Sequence, residues 1–205
     1  MTLRYALRRG TSVGTAVLDW APDADGYRLT FEADAGSPWA QASVGGFDAD
    51  GLAPQRHTDA RGRRGTAATN FRRDEAAVSF SASARQVALV GGVQDRLSWL
   101  IQLAAVLEGE PERREPGAAI LLPVAGSRGE LEVWALRNEG TEEVSTQSGP
   151  RPALRLSRER TGIRDAGLDI WVDPERHHLP LRWWVRSPLG DTVLEFELLE
   201  AHPGP

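Results

Sequence analysis

The sequence predicts a mainly β protein: a strongly curved antiparallel sheet, or open barrel, of about 11–13 strands with one central α-helix over about residues 93–108. Three observations predict it. Period-2 runs of apolar residues recur along most of the chain, turn signals separate them at short intervals, and only Val93–Glu108 carries a convincing helical pattern. At 205 residues the chain is read as a single domain, 1–205, because no repeat and no linker divides it.

Leu3, Tyr5 and Leu7 alternate with Arg4, Ala6 and Arg8, the mark of a half-buried strand. A second strand is expected from Gly14 to Trp20. After the turn Pro22-Asp23-Ala24-Asp25-Gly26 comes a third, Tyr27–Ala35, with Tyr27, Leu29, Phe31 and Ala33 on one face. Further strands are expected at Ala40–Phe47, Gln55–Ala60, Thr66–Phe71 and Ala77–Ser83. Beyond the helix they resume at Ala119–Val124, Gly129–Arg137, Glu143–Gln147, Ala153–Arg160, Gly167–Asp173, Leu181–Ser187 and Thr192–Glu200. Ser127-Arg128-Gly129, Asn138-Glu139-Gly140 and Pro188-Leu189-Gly190-Asp191 read as turns, and Gly109–Gly117 as a charged loop too polar to pack. In the helix, Asp95, Ser98 and Gln102 form one narrow polar stripe, so the remainder should be buried on more than one side. Asp95 stands near its amino end, where a carboxylate accepts free backbone N–H groups.

Composition narrows the function classes. A formal net charge of −5 argues against a general nucleic-acid partner, which needs a basic excess. All 24 basic residues are arginine, as a GC-rich coding sequence would give. The alternative reading is a set of planar cations suited to carboxylate or phosphate. With no cysteine, disulfides and thiolate catalysis are excluded. No stretch reaches the roughly 20 apolar residues of a membrane helix. No export signal precedes the first strand, since polar and basic residues begin at Arg4.

Several motifs favour structural readings. Gly10-Thr11-Ser12-Val13-Gly14 spells a hydrolase elbow but joins two strands rather than a strand and a helix. Asp23-Ala24-Asp25-Gly26 with Glu32 imitates part of a calcium loop, yet Ala21 would be its first ligand and no helices flank it. Asp173-Pro174-Glu175-Arg176-His177-His178 collects metal-binding residue types in a tight loop that orients them poorly, so no metal site is assigned. Arg61, Arg63, Arg64, Arg72 and Arg73 bracket a hairpin at 62–71, read as a solvated edge that discourages strand pairing, or else as a docking point for an anion or protein. The seven tryptophans include Trp134 and Trp171, on strand faces opposite Val133 and Ile170. A sheet covered on one side and enclosing something on the other accounts for this, as do two packed layers.

Three pieces resemble a bacterial family, domain of unknown function 3108. They are Asp50-Gly51-Leu52-Ala53-Pro54, then Gln94-Asp95-Arg96-Leu97-Ser98 with Gln102-Leu103, then Ile170-Trp171-Val172-Asp173-Pro174 continuing to Leu179-Pro180-Leu181-Arg182. They occur in the family's order, span about Tyr5 to Leu198, and the helix motif is the most specific. The closing pattern also resembles that of periplasmic lipoprotein carriers, which fold as unclosed antiparallel barrels with helices over the hollow. The resemblance implies a periplasmic or cell-envelope protein, usually made with an amino-terminal export or anchor segment that this chain lacks. It supplies no catalytic residue and no cofactor.

The function read from these features is a non-catalytic envelope module that binds or carries an apolar, acyl- or lipid-like ligand. A helix polar along only one stripe needs cover on a second face, and a ligand in a hollow beside the helix would supply it. Trp99, Leu103, Val106, Trp134 and Trp183 are the expected wall, with Arg182 at the mouth for an anionic end. The alternatives are an envelope glycan hydrolase using paired carboxylates about 5–10 Å apart, and a protein-binding scaffold at the arginine-rich hairpin. Oligomeric state is not read from the sequence.

Overall fold

The computed structural model describes residues 1–63, 65–147, 149–158, 166–187 and 193–204. The chain begins as a meander: β1 Thr2–Arg9, β2 Ser12–Pro22, β3 Tyr27–Asp34, β4 Pro38–Asp48, β5 Gly51–Arg61, β6 Thr66–Arg72, β7 Ala77–Phe80 and β8 Ser83–Ala88. A two-residue strand, β9 Gln94–Asp95, leads into the helix α1, Trp99–Gly109. A second meander follows: β10 Ala119–Ala125, β11 Leu131–Thr146, β12 Gly149–Arg158, β13 Gly167–Asp173, β14 Leu179–Arg186 and β15 Val193–His202.

Among the described residues all fifteen strands form one sheet, in the order β8-β7-β6-β5-β4-β3-β2-β1-β15-β14-β13-β12-β11-β10-β9. Its pairings are antiparallel except β9 with β10. The first and last strands therefore meet in the middle, and the two edges, β8 and β9, are neighbours in sequence. The sheet curls until its margins face each other without forming a ladder. Thr69 donates across the gap to the Gly126 carbonyl at 2.7 Å, and Phe71, Val78, Phe80, Val93 and Ala125 fill it with an apolar cluster. The main core lies within the curve and draws on strands of both meanders together with α1. Strict alternation explains the inner face: Tyr27, Leu29, Phe31 and Ala33 are buried, while the residues between them face outward.

The strand count exceeds the expected dozen because short edge pieces add to it. The run expected at Ala77–Ser83 divides into β7 and the start of β8. Asn138-Glu139-Gly140 is not a hairpin turn. β11 continues through it, with a register shift against β12 between Asn138 and Gly140 and Gly140 at φ +97°, so the turn chemistry there makes a bulge. Pro188–Asp191 and Arg64 lie outside the described residues.

The helix also begins later than the pattern suggests. Gln94 and Asp95 are taken by the parallel pairing with Val124 and Ala125. Asp95 Oδ1 then accepts the N–H groups of Leu97 and Ser98, each at 2.8 Å, while Ser98 Oγ accepts the Asp95 N–H at 2.9 Å. This reciprocal arrangement is a capping box one turn ahead of α1. Seven residues of the helix are buried, on more than one side. The charged loop after it does pack: Pro111–Arg114 is a 3-10 turn, and Arg114 donates to the last helical carbonyls, of Leu107 at 2.6 Å and Glu108 at 2.9 Å. No helix here is long and apolar enough to cross a membrane, among the described residues.

Candidate functional cavity

Between the first turn of α1 and the concave face of the sheet lies a cavity of about 680 Å³. Its interior is aromatic. Trp99 from α1 meets Trp134 from β11 edge-on at 5.3 Å between ring centroids. Trp183 of β14 stacks on Phe196 of β15 at 4.3 Å, and Phe31 of β3 bridges Phe196, at 5.8 Å, to Trp39 of β4, at 4.9 Å. These rings all line the cavity, with Leu97, Leu100 and Leu168 between them. Each strand contributes the residue whose parity turns it inward, which is why Trp134 is 6% exposed while Val133 beside it is 64% exposed.

Polar groups line the same space from several strands and turns. Arg61 lies over the Trp39 ring at 4.2 Å, and its Nε donates to both Asp59 oxygens at 3.1 Å. Arg96 and Arg158 lie over Trp134, with their guanidinium carbons 5.0 and 4.7 Å from its centroid. Glu132 accepts the Trp134 indole N–H at 3.1 Å and an Arg158 N–H at 3.2 Å, and stands 3.7 Å from Arg96. Arg128 and Glu130 line the cavity from the β10–β11 turn.

Of the residues expected at a ligand, Trp99, Trp134 and Trp183 line this cavity, and Leu103, Val106 and Arg182 do not. Leu103 is fully buried, one turn farther along α1, and Val106 packs against the main core beyond it. The cavity reaches only the helix's first turn. Arg182 cannot share a face with Trp183, because successive strand residues point to opposite sides. It lies on the convex side, 5.8 and 5.9 Å from the rings of Trp171 and Trp184, and pairs with Glu197 at 3.9 Å. Phe31, Trp39, Phe196, Arg61, Arg96 and Arg158 are cavity residues that the sequence reading did not select. Phe31 was visible only as a core-facing strand residue, Arg96 as part of the helix motif, and Arg61 as one member of the hairpin cluster.

The polar stripe of the helix motif belongs to a buried latch rather than to the cavity. Asp95 accepts the Ser43 hydroxyl at 2.5 Å, and the Tyr27 hydroxyl lies 3.1 Å from Ser43. Burial, reinforced by the Asp95 charge, pushes the Tyr27 phenol well above its usual range. Gln102 accepts the Leu52 N–H at 2.8 Å and donates to the Asp50 carbonyl at 2.7 Å, while Gln94 donates to the Leu52 carbonyl at 2.8 Å. Ser43 and His57 face each other across β4 and β5, but the hydroxyl donates to Asp95 and all three side chains are fully buried. This is not a nucleophile and base open to substrate.

Asp173 and His178, at the two ends of their loop, are likewise engaged with neighbours. Asp173 is held by Arg151 at 3.0 Å and accepts the Glu175 N–H at 3.0 Å. His178 Nδ1 lies 2.7 Å from Glu108 at the end of α1.

A curled antiparallel sheet with a helix inside its curve and an aromatic hollow beside that helix defines the class of the molecule, an open β-barrel-like protein. The chain belongs to the DUF3108 family, described as a protein of unknown function, whose model matches residues 1–197. Its fold is similar to that of the crystal structure of a beta-barrel-like protein of domain of unknown function DUF1849 from Brucella abortus. The two share 12% sequence identity with a TM-score of 0.63, over 100% of this chain and 97% of that one. At that identity the likeness speaks for the fold alone. A comparison with curated proteins gives no match.

Proposed function

We propose that this protein is a non-catalytic binding or carrier module of the cell envelope that holds an acyl-like chain in the hollow beside α1. One observation carries the reading: a cavity of about 680 Å³ whose inner wall is built from the rings of Trp99, Trp134, Trp183, Phe31 and Phe196. This size falls within the range of small-molecule sites, roughly 300–1,000 Å³, and its mixture of apolar wall and few polar groups is characteristic of them. The carboxylates that line it favour binding over hydrolysis. Asp59 is held by the Trp39 indole at 2.9 Å and by Arg61, and Glu130 accepts the Arg128 backbone N–H at 2.8 Å. The envelope location rests on the family resemblance, with the closing strand pattern's likeness to the periplasmic lipoprotein carriers beside it.

Native mass spectrometry of the protein purified from its own host tests this reading. A co-purified lipid, released on unfolding and shifting tryptophan emission when returned, is the expected result. Bare protein, with emission unmoved by any single-chain lipid, overturns it. Recovery of the native protein in the cytosolic fraction would overturn the envelope assignment separately.

A further inference from the structure

We infer that the ligand carries an anionic oxygen head, carboxylate or phosphate, recognised by Arg96 and Arg128; this rests on the proposed binding reading. The four arginines that line the cavity among the described residues are not equivalent. Arg61 is spent on Asp59, and Arg158 donates to the Ala166 carbonyl and to Glu132. Arg96 is different. Its closest acid, Glu132, stands at 3.7 Å, beyond hydrogen-bond reach, and that oxygen already accepts from Trp134 and Arg158. Among the described residues the Arg96 guanidinium makes no hydrogen bond, and its carbon lies 5.0 Å from the Trp134 ring centroid. A guanidinium so placed presents a fork of donors that suits a planar carboxylate or two phosphate oxygens.

Arg128 adds a second charge. Its backbone N–H is bound to Glu130, and the Gly126 N–H to the Glu130 carbonyl at 2.9 Å, so the turn is held while the exposed side chain has no partner among the described residues. Among the described residues Glu130 and Asp59 are the acids that line the cavity, and Asp59 is neutralised by Arg61. Among the described residues the uncommitted charge is therefore two cations against one carboxylate that is occupied by a turn amide. An excess of cation beside the aromatic walls favours an anion. The rings take the chain and the arginines take the head.

Three probes of equal chain length test this on the full chain: a saturated fatty acid, its alcohol, and the matching lysophosphatidic acid. Each is used below its aggregation concentration and followed by tryptophan emission. Both anionic probes should bind about tenfold or more tighter than the alcohol, as one or two charge-assisted contacts imply. The order of the two anions then distinguishes carboxylate from phosphate. Arg96→Gln should reduce the preference about tenfold, weakening the anions more than the alcohol. Arg128→Gln, on an exposed turn, should reduce it in the same direction even if Arg96→Gln proves poorly folded. Equal binding of alcohol and anions, or a preference that survives both substitutions, overturns the inference and leaves the carrier reading intact. Failure of all three probes to bind overturns both.

Discussion

Asp95 shows how much one buried carboxylate can organise. It is fully buried and accepts hydrogen bonds from the Ser43 hydroxyl and from the N–H groups of Leu97 and Ser98. An exposed cap is worth about 1 kcal/mol. Removal of this one leaves the two amides without partners in a dry interior and the Ser43 hydroxyl with Tyr27 alone, so Asp95→Ala should cost about 3 kcal/mol or more. Denaturant melts measure it, and a loss below about 1 kcal/mol would show that water enters and replaces the carboxylate. Gly51 makes a second case. It sits at φ +104°, and a Cβ there would fall 2.5 Å from Gln102 Oε1. Gly51→Ala must strain the backbone and displace the side chain that ties α1 to β5, for a loss of about 1–3 kcal/mol. A variant as stable as the parent would mean that Gln102 moves aside freely.

At the scale of the element, α1 is an inner wall whose two ends have different tasks. Trp99 and Leu100 face the hollow, whereas Leu103 and Leu107 are fully enclosed by protein. Leu103→Ala should therefore cost about 2–5 kcal/mol, as buried leucine truncations do. It should leave the emission response to lipid unchanged once the protein is kept folded by mild conditions. A charge at Leu103 would disrupt folding rather than ligand binding, because no water reaches that position. Loss of the lipid response in a stably folded Leu103→Ala would place the ligand deeper than the cavity described. The same logic explains why the family-like pieces around Asp50, Gln94 and Gln102 meet in space: they are the latch that fixes the helix to the sheet.

Over the whole molecule, the curled sheet buries both tyrosines of the chain. Burial pushes the Tyr5 phenol well above its ordinary range, and burial together with Asp95 does the same to Tyr27. An unfolded phenol loses its proton near pH 10. Above that pH the folded state holds more protons than the unfolded state, so stability must fall as pH rises. Below about pH 10 the two states are protonated alike and this contribution is constant. The denaturant midpoint should therefore be flat with respect to both tyrosines to about pH 9.5 and drop steadily beyond it. Tyr5→Phe should flatten the drop while sacrificing the hydrogen bond to the Pro180 carbonyl, 3.0 Å long in the parent. An alkaline limb unchanged by Tyr5→Phe would assign the effect to Tyr27 alone.

The sequence by itself determined the antiparallel class, the central α-helix and the inward faces. Alternation and turn chemistry are local, so Leu3, Tyr5 and Leu7 or Tyr27, Leu29 and Phe31 declare their side of a strand without outside help. It also determined that Trp134 and Val133 face apart. Local pattern cannot show which strands meet, because hydrophobic periodicity carries no distance. Only the tertiary structure decided that β1 pairs with β15, that Gln94 and Asp95 leave the helix for a strand, and that Asn138–Gly140 is a bulge. The cavity belongs to the same category. Its rings come from β3, β4, α1, β11, β14 and β15, and its arginines from turns and strands equally scattered. Parity along β14 placed Trp183 inside and Arg182 outside, but the curl of the sheet, set by packing around α1, chose Arg61, Arg96, Arg128 and Arg158 to line the hollow.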